Sequence, residues 1–438
     1  MKKFAFMLAL AVLLSGCSVQ AGSMPGSGSS SSAQVEDSVQ PLKVLDNNGS
    51  EAGASSGASS QETMPDEDQE DEEMQSEMLK KAAALLDLYR EESSGNAMLS
   101  PASLYAAIGL AANGADGQTL KEMEQFLGIS TKKANELYQQ MQDDAVLKTA
   151  NSVWYRNQDN ALKMGSLTPK ETFKEIAANS YHADFYECDF TDPSTINRMN
   201  QWASSHTDGM IPEIVSRLEP NTAMALLNAL LFEGLWIQPY DKSHVKEEDF
   251  TLFDGSVVQA EMLSSKESVY MENDKAVGFM KGYQDGYTFA AVLPKETGAF
   301  TLEELSLDTL LESASSRYEV YTKLPKFTFS CGGSLVELMK KAGVTDAFQE
   351  GKADFSNLFQ EDTPIWIGDV VQKTKIELSE SGTKAAAVTS VMFMARAAMI
   401  PETMRKEVYL DRPFAFLILK DGMDIPLFAG VVENPKAG

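Results

Sequence analysis

The sequence predicts an α+β domain built on antiparallel or mixed sheets. Three observations predict it. Apolar residues in the first half recur at three- and four-residue spacing, and those in the second half fall in short runs bounded by Gly, Pro or Asp-Gly. There is neither a regular βαβ alternation nor an internal repeat at solenoid periods. With 438 residues, 43% of them apolar, the chain can bury a sizeable core as one large domain or two ordinary ones.

The chain opens on Met1-Lys2-Lys3 and an apolar run from Phe4 to Leu14, the layout of a bacterial export signal and too short for a permanent membrane helix. The run ends in Leu14-Ser15-Gly16-Cys17, which resembles a bacterial lipobox; the alternative is an ordinary signal cleaved nearby. The expectation is a signal over residues 1–17, lipidation of Cys17, and an exported protein held on a membrane with its folded part outside the cytoplasm. Residues 18–77 are rich in Ser and Gly and then acidic, with Asp66 to Glu73 lacking both bases and aromatics. Such a stretch buries too little apolar surface to fold, so it reads as an extended tether.

From Met78 the pattern becomes helical, with Leu79, Ala82, Leu85, Leu86 and Tyr89 on one face, and the folded domain is expected over 78–436. Ser100-Pro101 places a cap before a proline at the first helical position, and Leu104, Ile108 and Ala111 continue the apolar face. Thr119 to Leu127 is a short helix closed by Gly128. Strands are expected at Val257 to Met262, Tyr287 to Leu293, Tyr318 to Leu324 and Phe414 to Ile418, with Asp254-Gly255 and Asp285-Gly286 as turns.

Composition excludes several functions. The formal charge is −27; the leader contributes +2 and residues 18–77 contribute −12, which leaves −17 for the rest, so binding of nucleic acid or an acidic polysaccharide by charge is not expected. His182, His206 and His244 are widely spaced and no metal or cofactor is expected. Cys188 and Cys331 are too few for a disulfide scaffold; they pair or stay as buried thiols, the second being the default. No phosphate-binding loop or zinc-protease motif is present. Ser381-Gly382-Thr383-Lys384 has the S-x-x-K spacing of acylating enzymes, but the companion S-D-N and K-T-G motifs are absent. The chain is not expected to be an enzyme.

One segment resists pattern reading. From Thr383 to Ala395 there is no Pro, Gly or acid; Thr383, Ala385, Ala387, Thr389, Val391, Phe393 and Ala395 share one parity, all small or apolar, while Lys384 is on the other. A polar run from Pro401 to Glu407 follows. On periodicity alone this is either a sheet strand followed by a turn or a strand-competent piece of an exposed loop.

Glu380-Ser381-Gly382-Thr383-Lys384-Ala385-Ala386-Ala387 resembles the hinge of inhibitory serpins, Glu-x-Gly-Thr-x-Ala-Ala-Ala. Asn96 to Ser103 resembles Asn-x-x-x-Ser-Pro-x-Ser, and Asn200-Gln201-Trp202 with Thr207 to Ile211 resembles Asn-x-Trp…Thr-x-Gly-x-Ile. Asn228 to Trp236 is similar to Asn-Ala-x-x-Phe-x-Gly-x-Trp, and Leu324 to Phe327, Gly343 to Phe348, Ala353 to Ser356, Asp411 to Phe414 and Pro426 to Gly430 continue in family order.

The resemblance covers Met78 to Pro435 and implies the serpin fold: three β-sheets, about nine helices and an exposed reactive loop, here from about Glu380 to Pro401. It implies a monomeric suicide-substrate inhibitor whose cleaved loop inserts into the main sheet, trapping the target serine protease as an acyl-enzyme. The alternative is a serpin-fold binding or carrier protein without inhibition. The hinge residues would be Glu380, Gly382, Thr383, Ala385, Ala386 and Ala387. Family spacing, fourteen residues on from Gly382, puts the reactive bond at Arg396-Ala397, which suits a trypsin-like target; Met394-Ala395 and Ala398-Met399 are the alternatives. Ser100, Ser103 and Asn228 match the polar cluster under the opening strands, with Gln372 where many relatives carry histidine.

Overall fold

The computed structural model describes residues 67–140, 146–156, 167–218, 222–383, 404–423 and 425–437. The chain divides into two units, Met1–Asp68 and Gln69–Gly438, and the second carries the fold described below. Cys17, Lys384, Ala385, Ala386, Ala387, Arg396 and Ala397 lie outside the described residues.

Eight α-helices are described: α1 (Glu67–Glu92), α2 (Pro101–Ala112), α3 (Gly117–Leu127), α4 (Thr131–Gln140), α5 (Glu171–Tyr181), α6 (Ser194–His206), α7 (Leu307–Glu312) and α8 (Val336–Lys341). The strands are β1 (Ala97–Leu99), β2 (Leu147–Arg156), β3 (Ala183–Cys188), β4 (Met224–Phe232), β5 (Lys246–Thr251), β6 (Val257–Glu267), β7 (Val269–Glu272), β8 (Ala276–Gly282), β9 (Tyr287–Pro294), β10 (Glu319–Pro325), β11 (Phe327–Ser334), β12 (Ile367–Leu378), β13 (Arg405–Tyr409), β14 (Phe414–Lys420) and β15 (Phe428–Val432). They form three sheets, of order β1-β15-β14-β9-β8-β7, β13-β10-β6-β5 and β11-β12-β4-β2-β3.

Local chemistry accounts for the element ends. Ser100 caps α2, its hydroxyl accepting the Ser103 amide, with Pro101 at the first helical position where no amide bond is lost. Gly128 closes α3 at φ 74°, a conformation in which a side chain is strained. Helix α1 starts at Glu67, eleven residues before the expected Met78, so it enters the acidic stretch read as tether. Tertiary contacts reach back as far as Met74, which packs partly buried on the core one turn before Met78, and the Ser76 hydroxyl donates to Asp308 at 3.0 Å. A composition rule sees the acids and not the surface that receives this turn.

The sheet that matters most for function is the five-stranded one. Its centre is β4, Met-Ala-Leu-Leu-Asn-Ala-Leu-Leu-Phe, buried at every position as a strand covered on both faces must be. A second hydrophobic cluster lies on one face, where Trp202 of α6 and the following Ile211, Ile214 and Val215 meet Leu227 of β4 and Val371 of β12. The side chain of Asn200 fixes that segment, its Oδ1 accepting the amides of Ile214 (2.8 Å) and Val215 (2.9 Å), while the Thr207 hydroxyl accepts that of Ile211. The spacing Asn-x-Trp…Thr-x-Gly-x-Ile thus has a structural cause.

Among the described residues no helix is long and apolar enough to cross a membrane, and no group of three or more His, Cys, Asp or Glu could hold a metal ion. Both Cys188 and Cys331 are free thiols.

Candidate functional site: the seam of the five-stranded sheet and its hinge

β12 and β4 run parallel side by side, Ile367 opposite Met224 and, after a register shift at Gly368, Asp369 opposite Ala225 through Lys373 opposite Ala229. Their pairing stops there. β12 continues to Leu378 against β11, and β4 continues to Phe232 against β2, so the two strands part at their C-terminal ends. Into this wedge the chain turns back on itself after β12. Gly382 bridges Leu235 and Thr383 bridges Leu378, both antiparallel, the direction a new strand between β12 and β4 would take.

The turn is held from the β4 side by backbone. Trp236 N–H donates to Ser381 O (3.0 Å), Tyr240 N–H to Glu380 O (2.8 Å), and Thr383 N–H to Gly234 O (2.9 Å). Trp236 Nε1 adds a bond to Ser379 O at 3.1 Å. Gly382 sits at φ +152° with Gly234 O so close that a Cβ would stand 2.0 Å from it, so only glycine fits. Thr383 is 2% exposed and its hydroxyl lies 2.6 Å from that of Tyr283, whose ring stacks on Trp236 at 4.0 Å. Burial pushes the Tyr283 phenol above its ordinary range, with the Thr383 bond opposing.

Glu380 pairs with Lys326 at 3.2 Å, and Lys326 also reaches Glu261 at 3.3 Å. Burial opposes ionisation of Glu380, yet backbone hydrogen bonding and the Lys326 ammonium hold its carboxyl below the usual range. A cleft of about 400 Å³ lies beside this pair, lined by Glu261, Lys326, Glu377 and Ser379 among others.

Deeper along the seam the four polar residues singled out in the sequence come together, all buried: Ser100 0%, Ser103 1%, Asn228 3% and Gln372 3% exposed. Gln372 forms a two-way pair with the backbone of Ser100, Oε1 accepting its N–H at 2.9 Å and Nε2 donating to its carbonyl at 3.0 Å. The Ser103 hydroxyl donates to Asn228 Oδ1. Gln372 and Asn228 face each other in register across the seam, but each is bonded to the first turn of α2 instead of to the other. That turn straddles the two strands.

Sequence reading missed three parts of this site. Asn151 extends the cluster, accepting from Asn228 Nδ2 at 2.7 Å and donating to Tyr181 O at 2.8 Å. Tyr283 and Lys281, from β8 and the turn after it, lie 100 and 102 positions from Thr383, and no local signal ties them to the hinge.

Comparison with known proteins agrees with this architecture. A family model described as Serpin (serine protease inhibitor) matches residues 80–435. Serpin-Z7 of Hordeum vulgare is 30% identical over 369 residues, covering 79% of this chain and 91% of that protein. Among solved structures, the thermophilic serpin tengpin in its native state is 33% identical with a TM-score of 0.71, covering 82% of this chain and 94% of that one. Thyroxine-binding globulin in complex with thyroxine gives 25% identity and a TM-score of 0.72, covering 83% and 99%. With the family model spanning nearly the whole folded unit and the three sheets in place, the chain belongs to the serpin family, whose members are generally inhibitors of serine proteases.

Proposed function

We propose that this chain is a suicide-substrate inhibitor of a trypsin-like serine protease, exported and carried on a membrane by a lipid on Cys17. The observation that carries the inhibitory reading is the hinge: Thr383 is already buried in the wedge between β12 and β4, antiparallel to β12 and capped by Tyr283. The next inward residues, Ala385 and Ala387, are small enough to follow it.

In this scheme the protease serine attacks the Arg396 carbonyl, the Arg396-Ala397 peptide bond breaks, and the new amine leaves on Ala397. Arg396 stays as an ester on the enzyme. The freed hinge then pairs in the seam, exchanging the β12–β4 ladder for two new ladders, and carries the ester away before water cleaves it. Arg396 suits an acidic primary pocket because its guanidinium can be held by two parallel hydrogen bonds.

The test is incubation with trypsin and with chymotrypsin and elastase as controls. A trypsin complex that survives boiling in detergent, and a released peptide beginning at Ala397 by mass spectrometry, are expected. Cleavage with no complex for any enzyme refutes inhibition and leaves a binding or carrier role, a reading supported by the likeness to thyroxine-binding globulin. For the anchor, Cys17→Ala is expected to release the protein from membranes; unchanged membrane association rejects lipidation at Cys17.

A further inference from the structure

A buried charge behind the hinge has no part in the scheme above. Lys281, at the end of β8, is 2% exposed, and its Nζ lies 2.7 Å from Glu267 Oε1 at the end of β6. The same oxygen accepts the Ser265 hydroxyl at 2.5 Å. A buried ion pair adds little net stability over an apolar pair of similar volume, because desolvation offsets the Coulomb attraction. Its structural effect lies in what it holds in place.

The Lys281 ammonium lies 4.4 Å from the centre of the Tyr240 ring and 5.5 Å from that of Trp236. These are the two residues whose amides grip the hinge turn, at Glu380 and Ser381. Trp236 in turn stacks on Tyr283, which closes over Thr383. A cation fixed on two aromatic rings in a dry site is a strong orienting contact. Glu267 fixes the cation.

We propose that Lys281, anchored by Glu267, is a positioning residue that holds the shelf formed by Trp236 and Tyr240, and through it keeps the hinge docked at Thr383. Its consequence for inhibition rests on the insertion reading of the hinge. The docking itself belongs to the uncleaved chain, so its test needs no protease.

The experiment is residue-resolved amide hydrogen exchange on the full chain, comparing wild type with Lys281→Met and with the double variant Lys281→Met, Glu267→Leu. The single variant leaves Glu267 buried without its partner and risks misfolding; the double variant removes both charges and keeps the volume apolar. In the double variant the amides of Trp236, Tyr240 and Thr383 are expected to exchange about tenfold faster, while those of β9 and β14 keep wild-type protection. Unchanged protection at the three hinge amides overturns the proposal. Equal acceleration throughout the domain also overturns it, because the pair then serves global stability alone. A chain that traps no protease yet shows the hinge-specific change refutes the inhibitory reading and leaves this one standing.

Discussion

Thr383→Arg is the substitution with the largest consequence that the structure allows to be worked out. Thr383 is buried beneath Tyr283, itself 1% exposed, and the stack of Tyr283 on Trp236 leaves no lateral room for a longer side chain. Arginine must therefore either bury an unpaired guanidinium or leave the wedge. Leaving gives up the Thr383 N–H bond to Gly234 O, about 1 kcal/mol net, and leaves the Tyr283 hydroxyl buried without its partner, about 1–3 kcal/mol. The docked hinge is thus disfavoured by roughly 3 kcal/mol. If half of that is felt in the transition state for insertion, insertion slows about tenfold, while hydrolysis of the acyl-enzyme is untouched.

The assay is the number of inhibitor molecules consumed per trypsin molecule inactivated, read by active-site titration and by the ratio of complex to cleaved inhibitor on a denaturing gel. Thr383→Arg is expected to raise that number severalfold and convert most of the chain to cleaved product. Thr383→Val, which keeps the shape and the amide bond but removes the hydroxyl, is expected to fall between. An unchanged ratio for Thr383→Arg would refute the claim that this position enters the sheet.

Three further outcomes follow from other parts of the fold. Gln372→Ala strips both hydrogen bonds from the backbone of Ser100, which is 0% exposed, and should cost about 2–4 kcal/mol of stability in a denaturant titration; a loss below about 0.5 kcal/mol would show that water replaces the amide. Hydrogen bonds from Lys295 outweigh desolvation at Glu272 and, with those from Lys406 and Tyr270, hold its carboxyl near a pKa of about 2 against an ordinary 4.5. Its stabilising effect is full above pH 4.5 and lost as pH falls towards 2, so Glu272→Gln should flatten that part of the acid unfolding curve, modestly because the side chain is 41% exposed. Burial pushes the Cys188 thiol up to about 12 and that of the partly buried Cys331 to about 11, so peptide mapping after iodoacetamide at pH 7.5 should find Cys188 unlabelled until denaturant is added and Cys331 labelled more slowly than a free thiol; labelling of Cys188 in the folded protein would contradict its burial.

Much of the fold was legible in the chain because it rests on local rules. The Ser100-Pro101 cap, the Gly128 stop, and the strands at 257, 287 and 414 begin where their turn and capping residues say they should. Strand β6 runs five residues beyond the expected Met262, since its partner β10 continues to pair with it as far as Glu267. The start of α1 was misjudged for the same kind of reason: Asp308, which receives Ser76, lies 232 residues away. Of the seam, Ser100, Ser103, Asn228 and Gln372 were legible through family motifs, whereas Asn151, Tyr283 and Lys281 were not, because nothing in their neighbourhoods points to a hinge a hundred residues on or more.

By itself the sequence determined the class of fold, the family, and a segment from Thr383 to Ala395 whose alternating parity makes it fit for a sheet. Parity is a property of the chain alone, since successive side chains in a strand point to opposite faces wherever the strand goes. The tertiary structure decided where that segment begins its contact: the parting of β12 from β4 beyond Lys373 and Ala229, the pocket under Tyr283 that takes Thr383, and the Lys281–Glu267 pair behind it. Each of these exists only once distant strands are in register, and register is fixed by packing over the whole sheet.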